Sequence, residues 1–350
     1  MPSVLSEIGL RIGVFRFSLA PMQPLAVPAV NKGNMLRGGF GHAFRRLCCI
    51  PQCLDTNTCP LATSCPYKAV FAPSPPPGAD RLSKNQDIPR PFVFRAPQTQ
   101  QTRFDTGERF QFDMVLIGRA LDFLPYFVLS FRELAAEGLG LNRAKCTLEK
   151  VEEIDIALVS RAAVASVDDA DPQRLIYSTE DHIFRATEST SADEWINTRV
   201  QQLLNGNGNG AAQRVTIRFL TPTFLRADGE VVRQPEFHQL FKRLRDRINA
   251  LGAFFGDGPL DVDFRGLGER AEKVRTVSAQ TNWVDRFRTS SRTHDRHELS
   301  GFVGDATYEG ELAEFLPWLA LGELAHVGKH TAWGNGWFEI EAGGDLNEQI

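Results

Sequence analysis

Apolar and polar residues alternate at the start of the chain, in IGLRIGVFRFSLA (8–20), and period two predicts a strand. The pattern then changes. In NMLRGGFGHAFRRL (34–47), Leu36, Phe40, Ala43 and Leu47 recur at helical spacing, which predicts an amphipathic helix. Its three glycines cost about 1 kcal/mol each relative to alanine. Further strands are predicted at 108–118 and 146–159. A helix is predicted at 121–138, with Pro125 in its first turn. The second half repeats the sequence of patterns. Val215, Ile217 and Phe219 alternate with Thr216 and Arg218 in a strand at 213–225. After Pro235, Phe237, Leu240, Phe241, Leu244, Ile248 and Leu251 form one helical stripe. Strands are expected at VDFRG (262–266), 273–287 and 299–310. A short helix at 312–325, started late or kinked by Pro317, and a strand at 336–342 complete the half.

Each half thus reads strand, helix, strands, helix, strand. That is the βαββαβ pattern, and the expected architecture is α+β, two tandem ferredoxin-like (RRM-like) domains. The joint is placed at NGNGNG (205–210), where Asn and Gly favour turns and nothing apolar is available to dock. The expected division is residues 1–204, a linker at 205–211, and a second domain at 212–343. A cysteine-containing insertion spans 48–90 of the first domain, followed through its Pro-rich part as a loop.

The charge balance narrows the partners. The net charge is −4 and the pI near 6.0, which is not the profile of a non-specific nucleic-acid binder. Binding to nucleic acid would require locally clustered cations. Such clusters exist: Arg37, Arg45 and Arg46; Arg286, Arg288, Arg292 and Arg296; and Lys242 to Arg247. A charge run is also what an ordinary solvated face looks like; the first two sets are the expected RNA contacts. The N-terminus lacks a basic start and apolar core, and 112–131, the most apolar stretch, is broken by Asp113, Arg119, Asp122 and Pro125. A soluble cytoplasmic protein without membrane partners is expected.

The run HVGKHTAWGNG (326–336) lies between an apolar helix and a closing strand. Gly328, Gly334 and Gly336 would let backbone N–H groups turn toward an anion. Lys329, His330 and Asn335 stand beside them, and Trp333 and Trp337 offer surfaces for base stacking. A helix C-cap glycine followed by a tight turn explains the same spacing. The run resembles the glycine-rich loop of the CRISPR RAMP superfamily, G-x5-G-x-G between the last helix and last strand of a ferredoxin-like domain. The block 301–340 resembles the C-terminal domain of that superfamily's repeat-processing endoribonucleases. LRGGFGHAFRRL and the cysteine segment ending CPY extend the likeness to the first half.

The resemblance implies cleavage of precursor CRISPR RNA within its repeats, with repeat RNA as partner and no metal in the chemistry. A 2′-hydroxyl attacks the adjacent phosphate, leaving a 2′,3′-cyclic phosphate and a 5′-hydroxyl. It equally implies a second reading, a non-catalytic subunit holding guide RNA beside the other subunits of a CRISPR effector complex. The nuclease reaction needs a base, an acid and positive charge on the phosphorane.

Of seven histidines, His42 is the first candidate base. It lies opposite the apolar stripe of its helix, with Arg45 and Arg46 beside it and Gly38 and Gly39 one turn earlier. Neighbouring cations favour its neutral form. A solvated surface histidine fits the same position. The resemblance also implies a catalytic histidine on or near this helix. His326, Lys329 and His330 form a second group, read as RNA-binding, and His294 and His297 a third. Gly328, Lys329, His330, Gly334, Asn335 and Gly336 are expected to position RNA. Of the six cysteines, Cys49, Cys53, Cys59 and Cys65 could close a tetrahedral structural zinc site, with Cys48 able to replace Cys49. Ordinary cytosolic thiols are the other reading.

Overall fold

The computed structural model describes residues 5, 8–53, 55–74, 88–155, 173–187, 190–206, 213–289 and 296–342. Contacts divide the chain into two units. One holds Arg11–Thr190 with Phe254–Gly256; the other holds Ser191–Ala253 and Asp257 onward, together with the chain up to Leu10.

In the N-terminal unit, β1 (Arg11–Pro21), β2 (Phe92–Arg95), β3 (Phe110–Ile117), β4 (Cys146–Ile154) and β5 (Gln173–Ser178) form an antiparallel sheet in the order β2-β3-β1-β4-β5. The first four strands have the ferredoxin-like order and β5 extends the edge. Three helices belong to this unit: α1 (Lys32–Cys48), α2 (Pro66–Phe71) and α3 (Leu124–Glu137). The core joining sheet and helices is aromatic. Phe40 of α1 stacks on Phe131 of α3 at 5.2 Å and 4°, and Phe17 of β1 stacks on Phe112 of β3 at 5.2 Å. Alternate positions carry charge instead: Arg16 makes a two-pronged bond to Asp113 at 2.8 and 3.0 Å, and both are buried. Period two therefore survives in β1 although both faces are covered.

The C-terminal unit contains β6 (Arg214–Thr223), β7 (Arg275–Val284), β8 (Gly301–Glu309) and β9 (Phe338–Ala342), ordered β7-β8-β6-β9 and antiparallel throughout. This is the ferredoxin-like order again. Its helices are α4 (Ala192–Gly206), α5 (Phe237–Phe255), α6 (Phe264–Ala271) and α7 (Leu316–Ala325). The tandem architecture read from the pattern is the one observed. Pro317 sits in the first turn of α7, where its missing N–H costs nothing, so the helix starts late and is not kinked.

Several elements differ from expectation. VDFRG opens α6, because Asp263 caps it by accepting from the Gly266 N–H at 2.9 Å. Pro66 sits at the start of a short helix in CPYKAVF, a stretch for which the sequence pattern predicted no element. Most of the 205–211 joint lies outside the described residues, as do the Pro-rich residues 75–87. Helix α4, which precedes the joint, groups with the C-terminal unit and not with the first. The reason is a buried polar anchor. Arg199 donates to both carboxylate oxygens of Glu323 on α7, at 2.7 and 2.9 Å, and to the Ile340 carbonyl at 2.6 Å. Trp195 donates to the Ala320 carbonyl at 2.7 Å. Burial works against both charges of the pair. It pushes the Glu323 carboxyl upward, while the bonds to Glu323 still hold Arg199 above its usual range. No helix among the described residues is long and apolar enough to cross a membrane.

Candidate functional site

Two places carry the residues singled out from sequence: the exposed face of α1 and the glycine-rich loop after α7.

On α1, the buried stripe is Leu36, Phe40, Ala43 and Phe44, and the opposite face presents Gly38, His42, Arg45 and Arg46 to solvent. The spacing of four and three residues puts these on one surface. A Cβ at Gly38 would meet nothing within 4 Å, so the helix backbone is open there. The two arginines differ. Arg46 is held by Glu137 of α3 at 2.6 Å, with Glu133 at 3.9 Å. Arg45 makes no ion pair among the described residues. Arg37 does not share this face: its guanidinium lies 4.5 Å above the Phe71 ring and 5.7 Å from that of Phe92, where it roofs the aromatic core.

The glycine-rich loop begins where His326 ends α7 at positive φ. A Cβ on Gly328 would collide with the Phe224 carbonyl oxygen, and one on Gly336 with the Val327 carbonyl oxygen; both glycines have positive φ. The loop's N–H groups are turned inward. Val327 N donates to Gly336 O, Lys329 N to Phe224 O, Gly334 N to Thr331 O, and Gly336 N to Pro222 O, at 2.8–3.1 Å. Those donors are spent within the protein and do not form an anion cradle. Gly334, Asn335 and Gly336 are buried, and Asn335 Nδ2 donates to the Leu299 carbonyl at 3.0 Å. Buried His326 stacks on Trp337 at 5.9 Å and its Nδ1 pairs with the Asn335 carbonyl. What faces outward is side chain: Lys329 is exposed, and His330 and Trp333 are half-buried with their rings 5.7 Å apart.

The arginine run sits on the excursion between β7 and β8. Arg288 lies 5.2 Å above the Trp333 ring of the glycine-rich loop, and burial pushes its pKa down. Arg296 lies 3.7 Å above Phe287, and half-buried Arg286 donates to the Asp285 carbonyl. Arg292 and His294 fall outside the described residues; His297 is exposed. Lys242 to Arg247 are engaged elsewhere. Lys242 pairs with Glu272, Arg243 with Asp246, and Arg247 donates to the Ala325 carbonyl.

Four residues of this surface, Phe224, Arg226, Arg233 and Trp283, were not anticipated. Lys329 and Arg226 lie 5.7 and 5.8 Å from the Phe224 ring, and Arg233 lies 4.6 Å above Trp283. In two of these pairs, Lys329–Phe224 and Arg233–Trp283, cation and ring are far apart in the chain, and no local spacing reveals them.

The cysteines fall between the C-terminus of α1 and the start of α2. Burial, with hydrogen bonds to Cys59 and Cys49, pushes the Cys53 thiol up to about 11, and burial pushes Cys48 up to about 12. Cys48 and Cys53 are therefore protonated at neutral pH. Among the described residues, no group of three or more His, Cys, Asp or Glu is arranged to hold a metal ion.

Residues 217–338 match the family model described as CRISPR-associated endoribonuclease Cas6, and residues 10–186 match AF_1859_N, described as an N-terminal domain. Comparison with curated proteins finds no match. Among solved structures, the chain is similar to a Thermus thermophilus Cas6 at 16% identity and a TM-score of 0.50, covering 95% of this chain and 99% of that one. It is also similar to a partial Cas6-RT-Cas1–Cas2 complex at 11% identity and a TM-score of 0.55. That match covers 97% of this chain and 48% of the other, so this chain spans about half its length. At these identities the structural likeness establishes a shared fold.

Proposed function

We propose that this chain, whose residues 217–338 match the model of CRISPR-associated endoribonuclease Cas6, cuts precursor CRISPR RNA within repeats, without metal, with His42 as the general base. The observation that carries this assignment is the open face of α1. Gly38 bares the helix, His42 projects one turn later, and Arg45 follows at i+3 and makes no ion pair among the described residues. An RNA backbone can approach Gly38 without meeting a Cβ. The neutral imidazole takes the proton of the 2′-hydroxyl, whose oxygen attacks the adjacent phosphorus. Arg45 offsets the charge gathering on the phosphorane oxygens. The bond to the 5′-oxygen breaks and that oxygen takes up a proton from solvent water, leaving a 2′,3′-cyclic phosphate and a 5′-hydroxyl. Arg46, tied to Glu133 and Glu137, positions the helix more than it binds RNA.

The glycine-rich loop contributes binding through Lys329 and His330, with Arg286 and Arg288 alongside. Gly328, Gly334, Asn335 and Gly336 act by shaping the loop that carries them. Arg37 acts by holding α1 on its core.

Incubation of the pure protein with end-labelled repeat RNA in excess EDTA tests this reading. Site-specific cutting is expected. His42→Ala should slow it at least about 100-fold while leaving RNA affinity within a few-fold. Unchanged cleavage by that variant removes His42 as the base. Binding without cutting by the wild type replaces the enzyme with a guide-holding subunit.

A further inference from the structure

Cations in the C-terminal unit are partnered in two distinct ways. Away from the glycine-rich loop they pair with carboxylates: Arg218 with Asp305 and Glu341, Lys242 with Glu272, Arg270 with Glu314, Arg275 with Glu309. Arg226, Arg233 and Lys329 are exposed, rest against aromatic rings, and make no ion pair among the described residues. Arg245 shows what a purely structural cation–ring pair looks like here. It lies 5.1 Å from Phe264 but also donates to the Phe264 carbonyl and to Asp246. The three exposed cations have no such second tie.

Their rings belong to one cluster. Phe224 meets Trp283 edge to face at 6.0 Å, and its carbonyl accepts from Lys329 N of the glycine-rich loop. Thr281 Oγ1 donates to the Arg233 carbonyl at 3.0 Å, which ties the segment carrying Arg233 to β7. Trp283 is half-buried and its Nε1 donates to Asp285, so its polar edge is satisfied and its orientation fixed. A held indole flanked by uncompensated cations has the two features that single-stranded nucleic acid needs, a stacking plane and phosphate charge.

We propose that Phe224, Arg226, Arg233 and Trp283, adjoining Lys329, form a docking site for an unpaired stretch of RNA. One base stacks on Trp283, and the three cations hold flanking phosphates. The proposal rests on the RNA-cutting reading above, and it adds a binding position separate from His42.

The test is binding of a labelled uridine decamer to the full chain by fluorescence anisotropy, run beside repeat-RNA cleavage. Trp283→Ala should weaken decamer binding about tenfold, the cost of one lost stacking base. Trp283→Phe keeps a ring and should stay within about threefold. Arg226→Ala with Arg233→Ala should flatten the dependence of log affinity on log salt by about 1.4, about 0.7 for each lost phosphate contact. Wild-type decamer affinity in Trp283→Ala overturns the docking site, as does a wild type that cuts repeat RNA yet ignores the decamer. A wild type that binds the decamer through Trp283 but cuts nothing upholds the site and removes the nuclease reading. Failure of both assays in the wild type overturns both.

Discussion

Glycine is concentrated in two places, and the two use it in opposite ways. On α1, Gly38 faces open space beside His42 and Arg45. In the loop after α7, Gly328 and Gly336 have positive φ, and another strand's or turn's carbonyl oxygen occupies the space a Cβ would need. The first stretch gives up helix stability to leave a surface bare. The second spends its freedom on folding a tight turn, and leaves outward contact to Lys329, His330 and Trp333. Identical residue types therefore mark a candidate reaction surface in one unit and a scaffold in the other.

Alanine substitutions sharpen or break that contrast. Gly336→Ala should be the most damaging, about 4 kcal/mol by urea unfolding, because positive φ and the Val327 carbonyl both oppose a methyl group. Gly328→Ala should cost about 2–3 kcal/mol for the same two reasons against Phe224. Gly38→Ala should add about 1 kcal/mol of stability and at the same time slow RNA cleavage. A Gly38→Ala variant that is stabilised with undiminished cleavage would show that α1 is bare for no catalytic reason. Gly39→Ala should change stability least, since its methyl would meet only the movable end of Leu134 at 2.6 Å.

The far end of α1 gives a pH test. Cys53 is pushed up to about 11 in the folded chain, so folding favours its protonated form. That contribution is complete below the ordinary thiol pKa and is lost as pH rises through about 11. Alkylation of the folded protein at pH 8 should be slower than that of the unfolded chain. Equal rates would place the thiol in open water.

Much of the architecture was legible because long amphipathic patterns are physical constraints on a core. The stripe Phe237 to Leu251 and the alternation in β6 each fix an element and its buried face. Short elements were hidden. VDFRG has strand-like content, and only the Asp263 cap turns it into a helix. His42 was legible as an exposed position because one helix suffices to place it. The pairs Arg233–Trp283 and Lys329–Phe224 were not, since each joins residues that only the folded sheet brings together.

The Arg199–Glu323 anchor has a practical consequence for anyone dissecting the chain. The Asn/Gly run invites a cut, yet a fragment begun at Gln213 would discard Arg199 and Trp195. Glu323 would lose its buried guanidinium partner while keeping the Ile340 N–H, a loss of about 3–5 kcal/mol. The chain's own beginning is also built in, because Leu10 O accepts from Ala192 N and Ile8 O from Asp257 N. The C-terminal unit is thus not a contiguous module. Excision of residues 11–190, joining the segment ending at Leu10 directly to Ser191, would respect its borders; simple truncation would not.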